Sequence, residues 1–279
     1  MGIPIPVVRM LMEEGRHRPF GGSVVQLGRS TVFFGWDRLS EAARRERFAL
    51  RPVPRIELSH LDHLARAGCI DDNTLFSALG FERVESLDLS ADESPTHLHD
   101  LNEPIPSAWE GRFDLLFDPG TLSSVFDQRM AFRNAAMLVR EGGRAIHVVP
   151  SSNRVDIALY MYSPQLFADF YGTNGWRIEA LCLCVFEPLW IDGRFEPPHW
   201  RAFPWTPDLV GRLGFGGAGR LPIDLWVVAT RLPGASADRI PQQGATVAAS
   251  RAAAGAPPPA AEAASPGGPR PPGYRTAKR

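Results

Sequence analysis

The feature that most limits what this chain can fold into is a series of short apolar runs. Each closes on a glycine or an aspartate, and most are separated from the next by a segment with helical spacing. SVVQL closes at Gly28, RVESL at Asp88, the short THLH segment at Asp100 and FDLLF at Asp118. Near-continuous apolar sequence suits a strand covered on both faces, and hence a parallel sheet between layers of helices. Helices are predicted over 6–18, 37–48, 73–79, 126–139 and 163–171, with Asn73 and Ser163 as capping residues and EGGR closing the fourth helix before the strand AIHVVP. Two long runs, WRIEALCLCVF and LPIDLWVVATRL, end the pattern. Strand and helix alternate at least five times, which calls for an open, mostly parallel α/β sheet whose ligand crevice lies beyond the carboxyl ends of its strands.

Composition sets the domain plan. The chain has 279 residues, 44% of them hydrophobic, enough for a sizeable core. One domain is expected over 1–232, carrying an insertion at 187–222 that gathers Trp190, Trp200 and Trp205 among prolines, as a lid or an edge cover. The Ala/Pro/Gly-rich tail, 233–279, is too poor in large apolar residues to repay the entropy of ordering and is expected to be disordered. The net charge is -1, and the tail holds six basic and two acidic residues, which leaves the body near -5. Such a body repels nucleic acid. No apolar run approaches the roughly 18 residues of a membrane span, and the N-terminus carries neither a signal-peptide pattern nor a myristoylation signal, so a cytoplasmic protein is expected. Three cysteines form no C-x-x-C pair, and Cys182 and Cys184 share one face of a strand as packing residues. No metal site is expected from the histidines: His60 and His63 lack a third ligand on a regular backbone, and His97 and His99 alternate across a strand.

In a parallel sheet, Gly28, Asp88, Asp100 and Asp118 gather on one rim. A carboxylate at the end of the second strand is placed to accept both hydroxyls of a ribose, and Asp100 to accept an exocyclic amine of adenine. The competing reading makes them turn-forming or helix-capping aspartates.

DLNEPIP, FDLLFDPGTLSSVFD, EGGR, IHVVP and YSPQLFADFYGTNGW follow one another between Val84 and Trp176. In these motifs and their order the chain resembles the class I S-adenosylmethionine-dependent methyltransferases, particularly bacterial members, over about residues 21–232. The resemblance implies a Rossmann-like methyltransferase fold with a C-terminal antiparallel hairpin. It implies that Asp88 holds the ribose hydroxyls, that Asp100 and Leu101 meet adenine, and that Asp118 to Thr121 lie beside the methionine and the transferred methyl. The chain departs from the family's G-x-G-x-G pattern after the first strand, keeping Gly28 alone. Three readings of Arg29 follow: a guanidinium clasping the cofactor carboxylate, a side chain filling the pocket, or one facing solvent.

The expected function is methyl transfer from S-adenosylmethionine to a small-molecule or sugar-like acceptor, with alignment supplying most of the acceleration. His147 or Asp118 is the first choice for a base, and Asn153, Tyr160 and Tyr162 for acceptor contacts. No Ser-His-Asp order, P-loop or HExxH signature supports hydrolase or kinase chemistry. The alternative is a non-catalytic scaffold that has lost its cofactor and binds a protein partner through the Trp-rich insertion or the basic tail; a nucleotide-dependent enzyme on the same kind of sheet is a third, weaker reading.

Overall fold

The computed structural model describes residues 2–155, 157–187, 200–206 and 219–244, together with the backbone of 189–191 and 194–196. The chain runs β1 (Gly2–Ile3), α1 (Ile5–His17), β2 (Ser23–Leu27), β3 (Thr31–Val32), α2 (Trp36–Glu46), α3 (Asp62–Arg66), α4 (Asp72–Leu79), β4 (Arg83–Asp88), β5 (His97–Leu98) and β6 (Phe113–Asp118). It continues through α5 (Gln128–Leu138), β7 (Val139–Pro150), α6 (Pro164–Thr173), β8 (Arg177–Phe186), β9 (Leu189–Ile191), β10 (Arg194–Glu196), β11 (Trp200–Pro204) and β12 (Ile223–Thr230).

Eight of these strands form one sheet in the order β11-β8-β12-β7-β6-β2-β4-β5. The five from β5 to β7 are parallel, while β12 enters antiparallel between β7 and β8. This is the mostly parallel α/β sheet with a C-terminal antiparallel hairpin that the sequence called for. The runs are apolar because both faces are covered. Val24 packs under α1 and α4, while its neighbour Val25 joins α5 and α6 on the other face. The same alternation sends Trp226 and Val228 of β12 to the α1 face and Leu225 and Val227 to the α6 face. Trp176, Trp226, Tyr171 and Phe76 are among the largest fully buried side chains, each stabilising its layer by about 2–3 kcal/mol.

Register brings the strand ends level. Leu27 pairs with Leu87 and Asp118 with His147. Because β12 runs the opposite way, its start falls at the same rim: Asp224 pairs with Pro150 of β7 and with Cys184 of β8. A carboxylate thus reaches the ligand edge from the beginning of a strand.

Several boundaries differ from expectation for local physical reasons. The cap of α4 is Asp71, whose carboxylate accepts from the Thr74 amide at 2.7 Å; Asn73 lies inside the helix. The fourth long helix begins at Gln128, because Asp127 caps it through the Met130 amide. EGGR is the opening of β7 and not a turn before it. A side chain on Gly143 would come within 2.9 Å of two backbone carbonyl oxygens, those of Arg140 and Asp114, so only glycine lets the strand cross there.

The packed body also extends past residue 232. Ala235 and Ala237 are buried, the Trp176 indole donates to the Ser236 carbonyl at 3.1 Å, and the Arg239 amide donates to Asn174 Oδ1 at 3.0 Å. The start of the tail therefore docks on one indole and one amide side chain, partners that composition does not register; 245–279 lie outside the described residues. Of the insertion, Trp190's side chain is outside them as well, while residues 200–204 form β11 and cover the edge of β8.

Candidate active site

Gly28 follows β2 with a φ of 72° and donates its amide to the Leu87 carbonyl at 2.7 Å. Its bare Cα lies against the loop after β6. A Cβ there would meet Thr121 Oγ1 at 2.8 Å and Asp88 Oδ2 at 3.6 Å, and that Thr121 hydroxyl donates to the Leu27 carbonyl at 2.5 Å. The structure thus brings Gly28, Asp88 and Thr121 together. Asp88 Oδ2 accepts from the Arg29 amide at 3.3 Å and Oδ1 from the Ser90 amide at 3.1 Å. Each oxygen keeps a lone pair for a further donor. The His99 amide donates to the Asp88 carbonyl at 2.9 Å and sets the next turn beside it. In that turn Asp100 Oδ1 accepts from the Asn102 backbone and side-chain amides, which hold the carboxyl below its usual range. Leu101 is buried in the core beneath.

Arg29 does not face solvent. Its Nε lies 3.3 Å from Asp72 Oδ1, and its Nη1 donates to the carbonyls of Glu93 at 2.8 Å and Ser94 at 3.4 Å. With only 15% of its side chain exposed, it is a strut tying the loop after β4 to the start of α4.

Asp118 and His147, the expected bases, are both 0% exposed. Asp118 Oδ1 accepts from the amides of Gly120 and Leu122 at 3.0 and 3.3 Å, and Oδ2 lies 2.9 Å from His147 Nδ1. His147 Nε2 is 2.6 Å from the Tyr171 hydroxyl. Burial first, and the Asp118 charge second, raise the Tyr171 hydroxyl far above its usual range, so it stays protonated and donates. With the Tyr171 hydroxyl donating to Nε2, it is Nδ1 that carries the hydrogen shared with Asp118. This chain of bonds ties β6 to β7 and α6, and it leaves both residues closed to solvent.

The three expected acceptor contacts are also structural in their bonding. Asn153, at φ 60°, donates to the carbonyls of Gly219 and Leu221 at 3.0 and 2.9 Å. The Tyr160 hydroxyl donates to the Phe126 carbonyl at 3.0 Å, and the buried Tyr162 hydroxyl to Gln128 Oε1 at 2.5 Å. From the same segment it is Arg154 and Ile157 that line a cavity.

That cavity, of about 330 Å³, lies on the α1 face at the rim, between the chain's first residues, Phe33 and Phe34, and the ends of β6, β7, β8 and β12. Its size falls at the lower end for small-molecule sites. Asp224 is in its wall, 8% exposed, with Oδ1 lacking any hydrogen-bond partner among the described residues. Arg154 Nη1 stands 3.5 Å away. Burial pushes the Asp224 carboxyl up to about 7, against the pull of Arg154. Trp200 Nε1, in the same wall, is likewise without a partner. Sequence reading passed over Asp224. The signal was present as the one charged residue in IDLWVVAT, a run otherwise fit for the core.

The loop 118–121 joins the two features. Pro119 lines the cavity and Thr121 lies against Gly28.

No family model matches the chain, and no curated protein matches it. Solved structures similar to it include an S-adenosylmethionine-dependent methyltransferase from Archaeoglobus fulgidus, at 10% identity over 80% of this chain and 94% of that one, with a TM-score of 0.37. Another is the 1,6-didemethyltoxoflavin-N1-methyltransferase of Burkholderia thailandensis with 1,6-didemethyltoxoflavin and S-adenosylhomocysteine bound, at 12% identity over 82% and 78%, with a TM-score of 0.33. A putative S-adenosylmethionine-dependent methyltransferase from Listeria monocytogenes matches at 14% over 75% and 89%, with a TM-score of 0.37. At such scores the architecture rests on this chain's own strand order and register, not on the overlays.

Proposed function

We propose that this protein is an S-adenosylmethionine-dependent methyltransferase with a small-molecule acceptor. The observation that carries the reading is the loop 118–121, which has a nucleoside-type rim on one side and an acceptor-sized cavity on the other. The rim suits the cofactor at its nucleoside end: the Asp88 oxygens, held by backbone amides, retain lone pairs for two ribose hydroxyls, and Asp100 keeps Oδ2 for an adenine amine. At the methionine end Gly28 is the one glycine of the loop, and its Cα lies against the Thr121 hydroxyl, so cofactor there requires Thr121 to give way. When bound, the cofactor supplies a methyl group on a positively charged sulfur, open to in-line attack by an oxygen or nitrogen. The protein's part is to hold the acceptor and exclude water, so that most of the acceleration comes from alignment.

One observation favours a second reading, a scaffold without cofactor. Thr121 Oγ1 already fills the space at Gly28, and the Arg29 guanidinium is committed to Asp72 and two carbonyls. Thermal unfolding with S-adenosylmethionine or S-adenosylhomocysteine separates the two. At about 100 times the dissociation constant either ligand should add roughly 2.7 kcal/mol, a rise of about 5–10 °C. Asp88→Ala should weaken binding by about ten-fold or more, through lost hydrogen bonds to a charged group. An unchanged midpoint at millimolar ligand would establish the scaffold instead.

A further inference from the structure

We propose that the cavity on the α1 face binds a planar aromatic molecule bearing an ionisable hydroxyl and, at its other end, an anionic group, with Asp224 accepting the hydroxyl's hydrogen bond. As the acceptor of methyl transfer this ligand rests on the reading above; as an occupant of the cavity it does not.

The hydroxyl follows from two orphaned atoms. Among the described residues Asp224 Oδ1 accepts no hydrogen bond, its ion-pair partner Arg154 standing 3.5 Å off, Trp200 Nε1 has no acceptor, and both residues line the same cavity. Buried polar atoms without partners are costly and uncommon, and their usual complement is a ligand or ordered water. A hydroxyl can supply either complement, a hydrogen for the carboxylate or a lone pair for the indole. The planar body follows from the walls. The Phe186 and Trp200 rings stack with centroids 5.9 Å apart and planes 19° apart. Phe33, half exposed, and Phe34 line the cavity from the other side. Stacked and edge contacts of this kind favour a flat ring over a flexible polar chain. The anionic end follows from Arg38 of α2, which lines the cavity, is exposed and has no ion-pair partner among the described residues.

The surroundings of Asp224 suit a hydrogen bond to an acidic hydroxyl. Arg154 stands 3.5 Å from Oδ1, and its guanidinium also lies over the Phe186 ring at 5.1 Å. Across the strands, Asp224 faces Pro150 on β7 and Cys184 on β8, whose thiol burial keeps protonated. Arg38 is the remaining charged group of the cavity wall among the described residues. With its carboxyl pushed up to about 7, Asp224 exchanges a proton near neutral pH, as a group that takes a hydroxyl proton should.

The test is isothermal titration calorimetry of the full chain, without cofactor, using 6-hydroxy-2-naphthoic acid and its 6-methoxy analogue. The hydroxy compound should bind about ten-fold tighter than the methoxy compound, the worth of one charge-assisted hydrogen bond. Asp224→Asn should reduce that preference to about three-fold or less, while Arg38→Gln should weaken both compounds alike, each variant being checked for folding by thermal unfolding. Trp200→Phe, which keeps the stacked ring and removes the N–H, should weaken the hydroxy compound more than the methoxy compound. Equal affinity of the two probes for the unmodified chain, no binding of either at millimolar concentration, or a preference unchanged by Asp224→Asn would overturn the proposal. A clear hydroxyl preference together with no thermal shift by S-adenosylmethionine would keep the site and remove the methyl-transfer reading.

Discussion

Asp118 and Asp224 stand at one rim of one sheet, on opposite faces, and they have opposite surroundings. Asp118 is sealed under α6 with two backbone amides and His147 as partners, and every atom of the Asp118–His147–Tyr171 chain that needs a bond has one. Asp224 is nearly as buried, yet one oxygen has no bond, its charged neighbour is 3.5 Å away, and a cavity opens beside it. The difference teaches that burial alone does not mark a functional carboxylate. A satisfied buried network ties a fold together, whereas a buried carboxylate with an oxygen unpaired among the described residues and a cavity beside it is where a ligand is worth testing.

The comparison can be broken most forcefully at Asp118. Asp118→Ala would orphan two amides and the imidazole, and should cost about 3–5 kcal/mol in urea unfolding; a loss below 1 kcal/mol would mean the network is not structural. Asp224→Asn should do the reverse. The Asp224 carboxyl rises from 3.8 to about 7 on folding, so the folded chain favours its neutral form. The penalty for ionising it is absent below about pH 4, grows between pH 4 and 7, and is complete by pH 8. The amide removes that penalty, so the variant should gain about 2–4 kcal/mol over the unmodified chain at pH 8 and almost nothing at pH 4. Unfolding midpoints across that range decide it, and a gain independent of pH would refute the cause given. Tyr171→Phe leaves His147 Nε2 without its donor and should cost about 1–2 kcal/mol. Arg29→Ala loosens the strut between the loop after β4 and α4 for a smaller loss, about 1 kcal/mol. Were Arg29 a clasp for cofactor, the larger change would instead be in S-adenosylmethionine affinity.

What the sequence made legible, and what it hid, divides along the same line. SVVQL, RVESL and FDLLF announce strands because each is a short run with two to four apolar residues that stops at a glycine or an aspartate, and the positions of Gly28, Asp88 and Asp118 at their ends follow from the alternation. The direction in which a side chain leaves its strand is harder to read. Asp118 was visible as a rim residue, but its turn inward depends on His147 and Tyr171, 29 and 53 residues further along the chain. Asn153 and Tyr160 belong to the same segment as Arg154 and Ile157, which line the cavity. Asp224 was hidden by its position at the start of an antiparallel strand, since in a parallel sheet only strand ends fall on that rim. The docking of Ala235 to Arg239 was hidden because it depends on Trp176 and Asn174.

β11 has a consequence of its own. It shields the sheet's outermost hydrogen-bonding groups beside β8, and it also carries Trp200 into the cavity wall. One segment of five residues at the margin of the sheet thus serves both the sheet edge and the cavity wall. Trp200 and Ala202 also pack against the α1-face core, so the cavity wall and the packing beneath it change together if that segment is exchanged.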